Sequence, residues 1–113
     1  MIELKDLQKV IGADTLIDIP ELVVQEGEVA ALLGAVDSGR DVLFRLLTGE
    51  LRPTGGLVHV CGVDPVRDRA TFSRRVGVLF PQNNLYRRLS ALTNLQFYAR
   101  LHCCSAAHSV GRR

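Results

Sequence analysis

The 113-residue chain is 47% hydrophobic and 23% charged, with a formal net charge of +2, which fits one small globular domain and disfavours intrinsic disorder. No apolar run approaches the ~20 residues of a membrane-spanning helix, and the N-terminus lacks the basic and apolar blocks of a signal peptide. The three cysteines are sparse and odd in number, so we expect free thiols in a reducing compartment.

The small net charge conceals an uneven distribution along the chain. Residues 1–56 carry five basic and ten acidic side chains, whereas residues 57–113 carry nine basic and two acidic ones. A basic half can indicate a nucleic-acid or other anionic partner. Because few aromatic residues are interleaved with the arginines, we interpret this half as solvated surface and expect no nucleic-acid partner.

The first 33 residues have the patterns of strands. Apolar positions over residues 2–7 and 16–24 predict two extended segments, and Pro20 suggests that the second lies at a sheet edge or bends there. Val29–Leu33 is a continuous apolar run, which predicts a strand buried on both faces.

The later segments alternate between helical and extended patterns. Arg40–Thr48 has apolar residues at helical spacing, and Gly49 is well placed to end this helix. Leu57–Cys61 is predicted to form a strand, Val66–Arg75 a short amphipathic helix and Val76–Phe80 a second buried strand. A helix capped by Ser90 is predicted over residues 90–101, followed by a frayed tail over residues 102–113.

The loop between the apolar run and the first helix carries the most informative motif. Gly34 and Gly39 have the spacing of the phosphate-binding frame G-x-x-x-x-G-K-[ST]. In such a loop, glycines let the backbone curl so that its amides, together with a helix N-terminus, face an anion. The candidate phosphate-binding residues are Gly34, Ala35, Val36, Asp37, Ser38, Gly39, Arg40 and Asp41.

The frame is incomplete in its side chains. Arg40 occupies the lysine position, and Asp41 occupies the position of the metal-binding Ser or Thr. Asp37 adds a second carboxylate, which would repel a phosphate, although Asp41 could instead bind Mg²⁺ directly. By the motif alone, a glycine turn that simply joins a strand to a helix remains the alternative.

The surrounding segments closely resemble the ATP-binding domains of ABC transporters. Residues 26–34 look like the strand that enters the phosphate loop of that family, and residues 46–62 are similar to the segment that follows it. Residues 75–82 resemble the approach to the glutamine loop, and residues 85–95 the start of the helical subdomain. The resemblance covers about residues 2–101.

The resemblance implies an α/β fold, namely the N-terminal half of a P-loop NTPase-like ABC nucleotide-binding domain with an antiparallel β-subdomain. Residues 1–101 would form this partial domain, with the phosphate loop at 34–41 and the start of the helical subdomain at 90–101. It further implies ATP and Mg²⁺ as ligands, a transmembrane transporter subunit and a second nucleotide-binding domain as partners, and a cytoplasmic position at the inner face of the membrane.

The sequence departs from the family pattern at several positions. Ile11 stands where the family usually has an aromatic residue that stacks on adenine. Gln82 lies one position later than the family's usual glutamine. The candidate residues for binding the metal ion are Asp41 and Gln82. The family's signature motif, catalytic glutamate and switch histidine do not occur, so we assign no catalytic residue and expect no ATP hydrolysis by this chain alone. A degenerate, non-catalytic module and a truncated product without independent function are the alternatives.

Two histidine and cysteine groups are weaker candidates for metal binding. His102, Cys103, Cys104 and His108 lack the spacing of established metal ligands, because adjacent cysteines rarely chelate one ion. His59 and Cys61 share a predicted strand face and are interpreted as packing residues.

Overall fold

The computed structural model describes residues 1–82 and 84–101, and the chain divides into two compact units, Met1–Val76 and Gly77–Arg113. The first unit is built on a three-stranded antiparallel sheet of β1 (Ile2–Ile11), β2 (Asp14–Val24) and β3 (Gly55–Val60), in the order β2-β1-β3. The predicted antiparallel β-subdomain is therefore confirmed.

Strand β1 lies at the centre of this sheet and is hydrogen-bonded on both sides. It pairs with β2 from Ile2↔Val24 to Ile11↔Asp14 and with β3 from Ile2↔Val60 to Gln8↔Gly55. The register with β3 shifts between Lys5 and Gln8, where Asp6 has a left-handed φ of 48°, as in a β-bulge. Strand β2 is an edge strand, as the position of Pro20 suggested.

Helix α1 (Arg40–Thr48) contacts β2 and β3. Its predicted bounds are confirmed, and Gly49 ends it with a φ of 79°, which glycine adopts without strain. Leu43 and Leu46 lie three positions apart on one face of α1 and are buried together with Val58 and Val60, which lie two positions apart on one face of β3. The core of the unit comprises Leu4, Leu7, Ile17, Leu43, Leu46, Val58, Val60, Val63 and Phe72.

Helix α2 (Arg69–Arg75) is shorter than the predicted helix over Val66–Arg75. The Asp64 carboxylate accepts hydrogen bonds from the amides of Val66 and Arg67 at 2.9 and 3.0 Å, so these residues form a turn. Asp68 then caps the helix by accepting a hydrogen bond from the Thr71 amide.

The predictions of two buried strands, over Val29–Leu33 and Val76–Phe80, are wrong. Val29–Leu33 and Val76–Phe80 are not assigned to strands, and Val29, Leu33 and Leu79 are 101%, 90% and 93% exposed. Both segments have the composition of strands, but a strand also needs a neighbour that pairs with it. Neither segment pairs with another strand among residues 1–82 and 84–101.

The predicted strand Leu57–Cys61 is displaced by one or two residues at its ends. The observed β3 starts earlier, at Gly55, and stops at Val60. Cys61 has a left-handed φ of 51° and an exposed free thiol, so it lies beyond the strand and does not share a strand face with His59.

The second unit contains α3 (Ala91–Leu101) and the turn that precedes it. The Ser90 hydroxyl accepts a hydrogen bond from the Thr93 amide at 3.1 Å, which confirms Ser90 as the cap of this helix. The predicted tail over residues 102–113 lies outside the described residues. No helix in the described part of the chain is both long and apolar enough to cross a membrane.

Candidate functional site

The loop over residues 34–41 begins with a tight turn. The backbone amide and the hydroxyl of Ser38 both donate to the carbonyl of Ala35, at 3.1 and 2.7 Å. A Cβ atom on Gly34 would overlap the Ser38 hydroxyl. A side chain at position 34 would therefore displace the Ser38 hydroxyl from the Ala35 carbonyl, so glycine here favours the closed turn.

Gly39 joins the turn to α1. Its φ of 88° is left-handed, and a Cβ atom there would lie 3.0 Å from the carbonyl oxygen of Leu16. Gly39 is also the N-cap residue of α1, and no side chain caps this helix end. The first amides of α1 are consequently left without a side-chain partner at the positive end of the helix dipole.

The side chains at the start of α1 partly neutralise one another. The guanidinium Nε of Arg40 lies 3.9 Å from the Asp41 carboxylate, and the two side chains are 44% and 76% exposed. Asp37 in the loop is also exposed. An anion that approaches the loop thus meets one arginine and two carboxylates, so the favourable field comes from the backbone rather than from net side-chain charge.

A cleft of about 330 Å³ borders the loop. Its lining combines apolar side chains of β2, α1 and the extended segment with the backbone of Gly39 and the side chain of Arg40, and includes Leu16, Ile17, Leu32, Leu33 and Leu43. This cleft is not predicted by the sequence, because the apolar run that contains Leu32 and Leu33 indicates a buried strand.

The other predicted site residues are placed as follows. Ile11 ends β1 opposite Asp14 and is 56% exposed, with an aliphatic side chain that offers no aromatic face. Gln82 is exposed and belongs to the second unit; its role at a metal stays a prediction. No group of three or more His, Cys, Asp or Glu residues in the described ranges could hold a metal ion. His102, Cys103, Cys104 and His108 lie outside those ranges.

Comparison with known proteins finds a matching family model and relatives that match part of their length. The family model described as ABC transporter matches residues 17–112. The ABC transporter ATP-binding protein NatA of Bacillus subtilis (strain 168) is 37% identical over 82 residues, which cover 72% of this chain and 33% of the relative. The Nod factor export ATP-binding protein I of Cupriavidus metallidurans is 31% identical over 113 residues, which cover 99% of this chain and 37% of the relative.

Solved structures share the fold. An ATP-binding subunit of an ABC transporter superposes with a TM-score of 0.81 at 24% identity, covering 94% of this chain and 44% of that one. The dimeric structure of MJ0796, a bacterial ABC transporter cassette, superposes with a TM-score of 0.73 at 26% identity, covering 94% and 50%. This chain therefore spans about a third of these curated relatives and about half of the solved chains.

Proposed function

Because this chain belongs to the ABC transporter family, as an N-terminal part of its ATP-binding domain, we propose that residues 34–41 bind the phosphates of ATP. The observation that carries this proposal is the combination of a glycine turn with an uncapped helix N-terminus. The amides of residues 35–41 are the proposed hydrogen-bond donors, apart from that of Ser38, which donates to the Ala35 carbonyl within the turn. The N-terminal end of α1 supplies a positive field.

Backbone donors fit a phosphate chain better here than the side chains do. A Cβ atom at Gly34 would overlap the Ser38 hydroxyl, and one at Gly39 would contact the Leu16 carbonyl closely at a left-handed φ. The two glycines thus let the curled backbone be retained around an anion. Arg40 takes the place of the family's lysine, but its planar, forked guanidinium approaches phosphate oxygens differently from an ammonium group.

Asp41 and Gln82 are the candidate ligands for Mg²⁺. The Asp41 carboxylate is 76% exposed and has the oxygen chemistry that Mg²⁺ prefers, and the Gln82 amide offers a neutral oxygen. When bound, the ion would supply positive charge that offsets the phosphate oxygens. The residues of this chain bind and orient the nucleotide, and we assign none of them to catalysis, so this chain alone binds ATP without hydrolysing it.

We also propose the partners and the location that the family implies. A relative of this chain is named as a Nod factor export ATP-binding protein and another as a phosphonate import ATP-binding protein, so neither direction of transport is favoured. By this proposal, the chain works with a transmembrane subunit and a second nucleotide-binding domain, in the cytoplasm at the inner face of the membrane.

A second candidate is a degenerate module that has lost nucleotide binding and serves a regulatory or structural role. The ion pair of Arg40 and Asp41 favours this candidate. It directs the single cation at the loop toward a carboxylate of the same helix, and the carboxylate repels a phosphate that lies nearby.

Thermal unfolding with increasing Mg-ATP separates the two candidates. A ligand at a hundred times its Kd stabilises the folded chain by about 2.7 kcal/mol, which raises the midpoint measurably. We expect Asp41→Ser to tighten ATP binding, because it removes a carboxylate and releases Arg40. The matched control is Glu50→Ser, which removes the partner of Arg45 at 3.8 Å beyond the end of the same helix, and should leave ATP binding unchanged.

The outcomes are distinct. A midpoint that rises with ATP in the unaltered chain, and rises further in the Asp41→Ser variant alone, supports phosphate binding by the loop. An unchanged midpoint at millimolar ATP in the unaltered chain and in both variants would refute it and favour the degenerate module.

A further inference from the structure

Strand β2 contains an extra residue close to the start of α1. Its pairing with β1 keeps one register up to Lys9↔Ile17 and then shifts to Val10↔Thr15. Leu16 therefore has no Cα partner on β1, which is the arrangement of a β-bulge. Bulges are over-represented next to functional sites, where they redirect a residue of the strand, so the surroundings of Leu16 are relevant to function.

Both Leu16 and Ile17 lie against Gly39, the N-cap residue of α1. A Cβ atom on Gly39 would lie 3.0 Å from the carbonyl oxygen of Leu16 and 3.3 Å from the Cδ1 methyl of Ile17. Strand β2 can approach the start of the helix this closely because position 39 has no side chain. The bulge thus brings two neighbouring groups of β2, one carbonyl and one methyl, to the residue that joins the phosphate loop to α1.

Ile17 also belongs to the core that supports α1. Ile17 and Leu43 are 8% and 5% exposed, and both line the cleft beside Gly39. The Gly39 carbonyl accepts a hydrogen bond from the Leu43 amide at 2.9 Å, which is the first bond of the helix. Because buried side chains are closely packed, a change in the Ile17 side chain is transmitted to its neighbours. All of these contacts lie within the first unit.

We propose that Ile17 is a positioning residue for the phosphate loop, and that its Cδ1 methyl holds Gly39 and the first amides of α1 in the arrangement that binds phosphate. This inference rests on the proposed function of residues 34–41 and adds a residue outside the loop that sets its geometry. A methyl group offers no hydrogen bond to an anion, so Ile17 acts through the backbone of Gly39. When the loop adopts the competent arrangement less often, its apparent affinity for ATP falls by the same fraction.

Hydrogen exchange without nucleotide tests the positioning role by itself. Ile17→Val removes only the Cδ1 methyl, so the Leu43 amide, which is bonded to Gly39, should exchange faster. The Phe72 amide in α2 reports global opening and should be affected less. Val63→Ala is the matched control, because Val63 is 6% exposed but lies beyond the end of β3; it should not accelerate Leu43 more than Phe72. Equal acceleration of both amides in Ile17→Val would overturn the proposal.

A double-mutant cycle tests the contact between Ile17 and Gly39. The methyl group that Gly39→Ala adds would meet the Cδ1 methyl of Ile17. Gly39→Ala should therefore lower the thermal midpoint less in a chain that carries Ile17→Val than in the unaltered chain. Gly39→Ala and Val63→Ala should instead be additive, because residues without a shared contact act independently. Additive effects of Ile17→Val and Gly39→Ala would contradict the proposal.

Titration with Mg-ATP and with inorganic tripolyphosphate connects this contact to binding. We expect Ile17→Val to raise the Kd of both ligands by the same factor, about two- to tenfold, and Val63→Ala to leave both unchanged. A loss confined to ATP would place Ile17 in contact with the nucleoside and refute its positioning role. If the unaltered chain binds neither ligand, the proposed function of the loop fails. If it binds both and Ile17→Val binds them equally well, the positioning role alone fails.

Discussion

Gly56 lies directly against the backbone of Asp6, where β3 passes the bulge in β1. A Cβ atom at position 56 would overlap the carbonyl group of Asp6, and Gly56 itself has a left-handed φ of 86°. Both features exclude a side chain at this point.

We therefore expect Gly56→Ala to destabilise the first unit strongly. A left-handed φ alone costs an L-residue about 1–2 kcal/mol, and the overlap adds to this, so the thermal midpoint should fall by about 10 °C or more. Gly55→Ala is the control, because a Cβ atom there meets nothing within 4 Å. Similar midpoints for the two variants would show that the close approach of Gly56 to Asp6 is unimportant.

Asn94 is the only buried residue of α3 and fixes the preceding turn to the helix. Its side chain accepts a hydrogen bond from the Tyr86 amide at 2.8 Å and donates to the carbonyls of Tyr86, Leu89 and Ser90 at 3.0–3.3 Å. Asn94→Ala would remove the partner of the Tyr86 amide and the side-chain donor to these carbonyls, although the carbonyls of Tyr86 and Ser90 also accept from the amides of Leu89 and Asn94. We expect a cost of about 1–3 kcal/mol.

Hydrogen exchange at the Tyr86 amide measures this effect locally. Exchange should accelerate in Asn94→Ala, whereas Asn94→Asp keeps the acceptor and should retain part of the protection. Gln96→Ala, at an exposed position of the same helix, serves as the control. Unaltered protection of the Tyr86 amide in Asn94→Ala would contradict the assigned role.

Asp68 makes the stability of α2 dependent on pH. Hydrogen bonds from the Thr71 side chain and the Thr71 amide lower the pKa of the Asp68 carboxyl below its ordinary value of 3.8. Because the folded-state pKa is the lower one, this stabilisation is fully present above the ordinary value and is lost as the pH falls through the folded-state pKa.

Unfolding measured from pH 7 to pH 2 checks the prediction. Asp68→Ala should be less stable than the unaltered chain at pH 7, and the difference should shrink at acid pH. Asp68→Asn keeps a capping oxygen without a titrating carboxyl, so its stability should lack this contribution to the pH dependence. If the difference in unfolding free energy between Asp68→Ala and the unaltered chain stayed constant with pH, the Asp68 carboxyl would not be the source of the pH dependence.

Arg69 connects α2 to the end of α1. Its guanidinium donates to the carbonyl of Thr48, the last residue of α1, and lies over the Phe72 ring at 5.8 Å from the centroid. A charged donor at a helix C-terminus also interacts favourably with the helix dipole. We expect Arg69→Ala to lower the free energy of unfolding by about 1.5–3 kcal/mol.

Denaturant unfolding of two arginine variants tests this role. Arg67→Ala is the comparison, because the Arg67 side chain is 89% exposed and only pairs with Asp64 at 3.8 Å, a contact worth about 0–1 kcal/mol. A loss for Arg69→Ala no larger than that for Arg67→Ala would show that the connection to α1 contributes little.

The elements that local sequence signals determine were predicted correctly. Helix α1 has both of its ends marked by glycines with left-handed φ angles and its buried residues at helical spacing. The cap of α3 at Ser90 likewise depends on residues within three positions of each other. These interactions join residues that are close in sequence, so the sequence of one chain is enough to predict them.

The features that the sequence did not predict depend on distant partners. Val29–Leu33 has the composition of a buried strand, but burial requires neighbours that local composition cannot supply. The burial of polar Asn94 was missed because its partners are backbone groups of the preceding turn, and backbone groups leave no signature in the sequence. The candidate phosphate loop was selected by its glycine spacing, whereas the Arg40–Asp41 ion pair depends on side-chain positions that spacing does not fix.

The central position of β1 has a consequence for how the first unit folds. The β1–β2 hairpin is local and can form early, but the pairing of Gln8 with Gly55 closes a loop of more than forty residues. The entropy lost in that closure must be offset by the burial of the third strand against the first, and such long-range pairing slows folding. The connection between β2 and β3 contains residues 34–41 and α1, so we expect the proposed phosphate-binding loop to become ordered late, when the third strand docks.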